Sequence, residues 1–201
     1  MISMRRLSNE TKPMLATLAD LLAPVSVSEF VGMFRAKKRL HVAASDPTRA
    51  ETLFSWRDIN TLLSEHALDE NVILMRDSAL VPPQFYTSSE GKRLNVRTFH
   101  DLLPQGVSVY VNNIQRSIPQ IRQLAAAVER EMGIKTLVNA YLSFFKGSAF
   151  KPHWDGHDVL VVQVHGNKRW HIWNAEVPYP VEGRPNLHLS EAPDQEVQMA
   201  P

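Results

Sequence analysis

Val159-Leu-Val-Val-Gln-Val164 constrains what this chain can fold into more than any other stretch. Its valines are branched at Cβ and stiff at χ1, which disfavours a helix, and the run lacks the alternation of a strand with one wet face. It reads as a strand buried on both faces, which requires apolar layers on either side. Gly166-Asn167 then signals a tight turn, and Lys168-Arg-Trp-His-Ile-Trp173 restarts as a second strand.

Just ahead of this run stands Lys151-Pro-His153-Trp-Asp155. Side chains at i and i+2 of an extended strand leave on one face, so His153 and Asp155 can grip a single metal ion. Taken alone, such a pair is more often an imidazole and a carboxylate hydrogen-bonded to loop backbone, and it is the context that raises the metal reading. Two histidines and one carboxylate in a facial set suit non-haem Fe(II), with open positions for substrate and O2. Lys168 could hold an anionic group. A cation beside a metal is costly unless an anion lies between them, so a lysine fixed there suggests a bridging dicarboxylate. Its plain alternative is an exposed hairpin lysine.

His153-x-Asp155, the apolar run and Gly166-x-Lys168-x-Trp170 together resemble the JmjC and cupin-like 2-oxoglutarate oxygenases, particularly the ribosomal oxygenase branch, which hydroxylates protein side chains. The likeness continues in Asn139-Ala-Tyr141-Leu-Ser143, similar to the family's Asn-x-Tyr-x-Thr/Ser segment, and more weakly upstream to about Val25. It implies that His153 and Asp155 are catalytic and bind Fe(II). It also implies that Lys168 takes the distal carboxylate of 2-oxoglutarate, that Tyr141 and Ser143 line the same pocket, and that O2 is the oxidant. The implied substrate is a protein or peptide side chain, a ribosomal protein among the candidates, with homodimerisation open.

The family's third iron ligand is a histidine on a later strand, after a Gly-Asp and a Pro-containing turn, whereas this sequence ends at Gln198-Met-Ala-Pro201. The expectation is that this ligand lies beyond residue 201. A naturally truncated, inactive chain and a substitute histidine are the competing readings, the only downstream candidate being His188 in Asn186-Leu-His-Leu-Ser190. Two other classes stay open: a cupin metalloenzyme that does not use 2-oxoglutarate, and a non-catalytic cupin-like binding module. His157, His165 and His171 read as packed or surface imidazoles, and Trp154, Trp170 and Trp173 as core or rim aromatics.

Composition sets outer bounds. The 201 residues suffice for one domain with a real core, and 44% hydrophobic with 21% charged residues is ordinary for a globular protein. A net charge of +1 writes no strong pull toward nucleic acid or anionic membrane into the total. The basic run Arg35-Ala-Lys-Lys-Arg39 reads as a solvated helix end, with contact to RNA or a ribosomal partner as its alternative. Without cysteine there is no disulfide, thiolate ligand or thiol nucleophile. No apolar run reaches the length of a membrane span and no signal-peptide pattern opens the chain, so the expected location is cytoplasmic.

The remaining expectations are local. A helix is read over Leu15–Leu22 and another capped by Ser28, with Phe30, Met33 and Phe34 on one core-facing stripe. Strands are expected at Leu40–Val42, Val72–Met75, Val107–Val111 and Thr136–Phe145, with Gly147-Ser148 as the loop before His153. Ser55 and Asp58 form a capping box for a helix with Trp56, Ile59, Leu62 and Leu63 on its apolar face. Ser117 caps the strongest helix, which Gly133 ends, and Pro82-Pro83 opens a loop with Phe85-Tyr86. The fold class is α+β: a jelly-roll barrel of cupin type, incomplete at the C-terminus, with an N-terminal helical buttress. Residues 1–106 are the helix-rich part and 107–201 the first part of the barrel, in one integrated domain.

Overall fold

The computed structural model describes residues 15–43, 46, 48–64, 71–88, 90, 93–144, 150–175, 177, 179, 184–185 and 192–201. The expected Gly147-Ser148 loop, Phe145 and His188 fall outside them.

Chain-local chemistry starts each helix. Thr17 caps α1 (Leu18–Leu22), its hydroxyl accepting from the Asp20 amide while the Asp20 carboxylate takes the Thr17 amide at 2.9 Å. The cap of α2 (Val27–Arg35) is Ser26 rather than Ser28. Ser26 has extended backbone and accepts from the Glu29 amide at 3.1 Å, whereas Ser28 already lies within the helix. Phe30 and Phe34 of α2 lie 6.2 Å apart, and Phe30 packs half-buried on the core. The expected strand at Leu40–Val42 is absent; the chain there makes no ladder. The basic run that ends α2 is exposed, and Lys37 reaches Asp158 at 3.0 Å.

Helix α3 (Trp56–Ser64) begins with the foreseen box, Ser55 N–H donating to Asp58 at 2.8 Å and Asp58 N–H to Ser55 at 3.3 Å. Ile59, Leu62 and Leu63 are buried as expected, but Trp56 is 53% exposed, its ring lying between those of Phe144 and His165. Strand β1 (Val72–Arg76) turns through Asp77 and Ser78, both at positive φ, into β2 (Ala79–Leu80). That pair of left-handed residues makes the two-residue hairpin whose twist matches its strands. Helix α4 (Val96–Leu102) is capped by Asn95 and runs on to Gly106, whose φ of 81° turns the chain into β3 (Ser108–Val111).

Helix α5 (Pro119–Met132) is the longest, and Gly133 at φ 69° ends it as expected. Ser117 does not cap it. Pro119 sits at the first helical position with φ preset and no N–H to satisfy, so the N-cap falls on Ile118. Strand β4 (Ala140–Ser143) occupies only part of the expected Thr136–Phe145.

These strands form an antiparallel sheet of order β2-β1-β3-β4, which joins segments from both sides of residue 106. Period-two alternation splits its faces. Val72, Leu74, Val109, Val111 and Leu142 are buried together with Leu18, Leu62, Ile121 and Leu124 from the helices. Tyr110 and Tyr141, register partners, fall on the opposite face.

Beyond β4 come β5 (His153–Trp154), β6 (Lys168–Ile172), β7 (Arg184–Pro185) and β8 (Gln195–Met199). They pair antiparallel as β5-β7 and β6-β8. Here the strongest expectation fails. Val159–Val164 forms no strand and is not buried on both faces: Val159 and Leu160 are 65% and 48% exposed, while only Val162 and Val164 reach the core. An apolar run becomes a strand only when a neighbour supplies ladder hydrogen bonds, and among the described residues nothing pairs with this one. The expected hairpin is replaced as well, since β6 takes β8 as its partner, Trp170 facing Val197. Helices and antiparallel sheets of an α+β chain are therefore present.

Candidate functional site

The site is built on the sheet face turned away from the helices. Tyr110 and Tyr141 stand side by side there with ring centroids 4.7 Å apart. Phe150 sets its edge against both, at 6.1 and 5.8 Å, and lies 5.8 Å from the imidazole of His153. A wall of three aromatic rings thus joins the sheet to the start of β5. The Asn139 amide donates to the Tyr110 hydroxyl at 2.8 Å, fixing one end of this wall.

His153 is exposed, with Nδ1 2.7 Å from the Lys151 carbonyl. A carbonyl oxygen can only accept, so Nδ1 carries the proton and Nε2 keeps its lone pair. This is the tautomer and the backbone contact that orient a metal-binding imidazole. Asp155 follows β5, exposed, and its charge reaches the Tyr141 phenol. Although half of the Tyr141 side chain is exposed, desolvation of its hydroxyl first, then a hydrogen bond with Tyr110, and lastly the charge of Asp155 push that hydroxyl well above the usual range, so it keeps its proton.

On β6, Lys168 is half-buried, its ammonium 5.9 Å from the Tyr141 ring centre and 5.7 Å from that of Trp170. Desolvation lowers its pKa. Among the described residues no carboxylate lies within ion-pairing distance of it. The plain alternative of a solvated hairpin lysine is thereby corrected: β6 is not a hairpin arm, and the stem lies against two aromatic faces, which favour a cation. Ser143 holds Ser108 across the β3–β4 register, Oγ to Oγ, at 2.9 Å.

Lys168 is therefore linked to Tyr141, and Tyr141 through Phe150 to His153, while Ser143 lies two residues on from Tyr141 along β4. Among the described residues no three His, Asp or Glu side chains converge as a complete metal cage. The donor set suits an Fe(II)-type site in part, an imidazole with a free Nε2 and a carboxylate two residues on. It suits a dicarboxylate through an ammonium without a counter-ion and a neutral phenol. His165 is packed, its Nε2 3.2 Å from the Phe54 carbonyl, and His171 pairs with Glu196 at 3.5 Å on the surface.

Sequence reasoning missed Tyr110 and Phe150. Tyr110 was within reach, because alternation along Val107–Val111 separates it from Val109. Phe150 carries no periodic signal, being a loop residue.

The JmjC domain family matches residues 110–200, from the Tyr110 strand through β8. This stretch is similar to a JmjC domain, and it takes in Tyr110, Tyr141, Ser143, Phe150, His153, Asp155 and Lys168. Relatives extend the similarity toward the N-terminus. A bifunctional lysine-specific demethylase and histidyl-hydroxylase NO66 of Caenorhabditis briggsae is 29% identical over 171 residues, 83% of this chain and 22% of that protein. One of Drosophila persimilis is 25% identical over 178 residues, 89% of this chain and 26% of that protein. Ribosomal oxygenase 2 of Rattus norvegicus is 24% identical over 165 residues, 79% of this chain and 35% of the relative. The chain spans a minor part of the length of these relatives, which are consistent with the ribosomal oxygenase branch.

Proposed function

We propose that this chain carries the co-substrate and metal half of an Fe(II)- and 2-oxoglutarate-dependent oxygenase that hydroxylates a side chain of a protein or peptide. The observation that carries this reading is Lys168, a desolvated ammonium with no carboxylate partner among the described residues, facing Tyr141 across an aromatic wall from His153. A cation so placed calls for an anion. The names of the relatives, histidyl-hydroxylase and ribosomal oxygenase, favour a ribosomal protein as substrate. The sheets are read as part of a jelly-roll barrel of cupin type that encloses the pocket.

His153 Nε2 and Asp155 would hold the iron. Lys168 would bind the distal carboxylate of 2-oxoglutarate, with the Tyr141 hydroxyl as donor beside it and Ser143 on the pocket floor. When bound, iron and co-substrate supply the oxidative chemistry: O2 is reduced, 2-oxoglutarate is decarboxylated to succinate, and one oxygen atom goes to the substrate. The protein orients these partners. The Lys151 carbonyl fixes the imidazole plane, Phe150 and Tyr110 keep water from that side, and Tyr141 keeps its proton because its pKa is raised.

Mn(II) titration followed by electron paramagnetic resonance tests the ligand assignment. The whole protein should bind Mn(II), Asp155→Ala and His153→Ala should each lose it, and 2-oxoglutarate should tighten it. Binding indifferent to 2-oxoglutarate would point to a different cupin metalloenzyme, and no binding at all to a binding module.

A further inference from the structure

Ser78 stands at the second position of the two-residue turn between β1 and β2, with φ 65°. A hairpin of this kind needs a left-handed residue there and takes glycine by preference, because a Cβ is crowded in that conformation. A serine kept in glycine's place points to a task outside the turn. The Ser78 hydroxyl accepts from the Lys151 backbone N–H at 2.6 Å, and the carbonyl of the same Lys151 accepts from His153 Nδ1 at 2.7 Å. Lys151 also precedes Pro152, whose ring restricts the residue before it to extended backbone. With its N–H tied to the turn and its φ and ψ narrowed by the proline, Lys151 has little freedom left for the direction of its carbonyl.

We propose that Ser78 is a positioning residue for His153: its hydroxyl fixes the Lys151 peptide, whose carbonyl keeps the imidazole proton on Nδ1 and leaves the Nε2 lone pair for a divalent metal ion. This rests on the reading of His153 as a metal ligand given above, and it adds the residue that anchors that ligand to the sheet. Ser78 touches neither metal nor imidazole and acts only through Lys151. A metal-binding imidazole is held in plane and tautomer by the partner of its other nitrogen, so whatever holds that partner also holds the ligand. Both hydrogen bonds are open to solvent. Water can therefore replace the Ser78 hydroxyl as acceptor at small cost to stability, but water does not tie Lys151 to the β1–β2 turn.

Ser78→Gly separates positioning from structure, because it removes the hydroxyl and relieves the left-handed backbone together. Mn(II) titration followed by electron paramagnetic resonance gives metal affinity. The nitrogen chemical shifts of the His153 ring, in metal-free protein at mildly alkaline pH, give its tautomer, and thermal melting gives stability. The expected result is affinity weakened about threefold to tenfold, at or below the loss seen when a group touching the imidazole itself is removed. The imidazole proton should be shared between Nδ1 and Nε2 where the wild type holds it on Nδ1, and the melting temperature should not fall. Ser78→Asn tolerates left-handed backbone and keeps an oxygen that can accept, so it should recover the tautomer and most of the affinity. Wild-type affinity and tautomer in Ser78→Gly, with Mn(II) binding lost in His153→Ala, would overturn the role of Ser78 and leave the ligand reading standing. Mn(II) binding unchanged in His153→Ala would overturn both. A melting temperature lowered in step with affinity would show Ser78 to be structural. If the glycine variant does not fold, the wild-type protein decides: a His153 ring protonated at Nε2 in place of Nδ1 would refute the proposal.

Discussion

Lys168 is the residue on which the proposed site turns, because no carboxylate among the described residues answers its charge. Desolvation depresses its pKa below 10.5, and a bound carboxylate would restore it, so binding takes up a proton wherever the free lysine is partly neutral. Affinity for 2-oxoglutarate should accordingly fall as pH rises through that depressed value, while Lys168→Arg, which stays charged, should bind without that alkaline loss; titration across alkaline pH checks both. The same shift has a sign for stability. Between the depressed folded value and 10.5 the unfolded chain holds more protons than the folded one, so this residue makes stability rise with pH there. Lys168→Ala should weaken 2-oxoglutarate by about tenfold or more and leave metal affinity unchanged, as separate calorimetric titrations would show. At this scale the resemblance named His153, Asp155, Tyr141 and Lys168, and the fold sets Lys168 and Phe150 against Tyr141 and His153 against Phe150. The environment of each was not legible, since the Lys151 carbonyl that sets the His153 tautomer and the Phe150 edge beside it depend on loop backbone.

Elements set the limits of that legibility. Helices α3 and α5 and strands β1 and β3 were readable because one local pattern agrees with tertiary burial: a capping box for α3, a helical apolar stripe for α5, a short apolar run for β1 and alternation for β3. Ser55→Ala should cost about 1 kcal/mol in denaturant unfolding by removing the α3 cap. Leu74, fully buried in β1, should cost about 2–5 kcal/mol on substitution by Ala, measured in the same way. Val159–Val164 was misread because composition reports that a run wants to be buried and does not report which strand will bury it. Strand β8 was missed for the opposite reason. Gln195-Glu-Val-Gln-Met199 shows only one buried side chain, Val197, and its pairing with β6 is a long-range fact.

Taken as a whole, the molecule puts its core on one side of a sheet and the proposed site on the other. Helices α1, α3 and α5 share one apolar core with β1, β3 and β4, while the opposite face carries Tyr110, Tyr141 and the approach to His153. Core and site are therefore separable by mutation: Leu74→Ala should lower the unfolding midpoint and leave ligand affinity of the folded fraction intact, and Asp155→Ala should do the reverse. No helix among the described residues is long and apolar enough to cross a membrane. The central claim is oxygenase chemistry at His153, Asp155 and Lys168, and succinate release from 2-oxoglutarate tests it most directly. Anaerobically iron-loaded protein would be exposed to O2, both as this 201-residue chain and as any longer form that contains it. The account predicts turnover, in this chain or in a longer form that contains it, that Asp155→Ala abolishes and Lys168→Ala weakens. Succinate formation that persists in Asp155→Ala, or a whole protein that neither turns over nor binds metal, would contradict it.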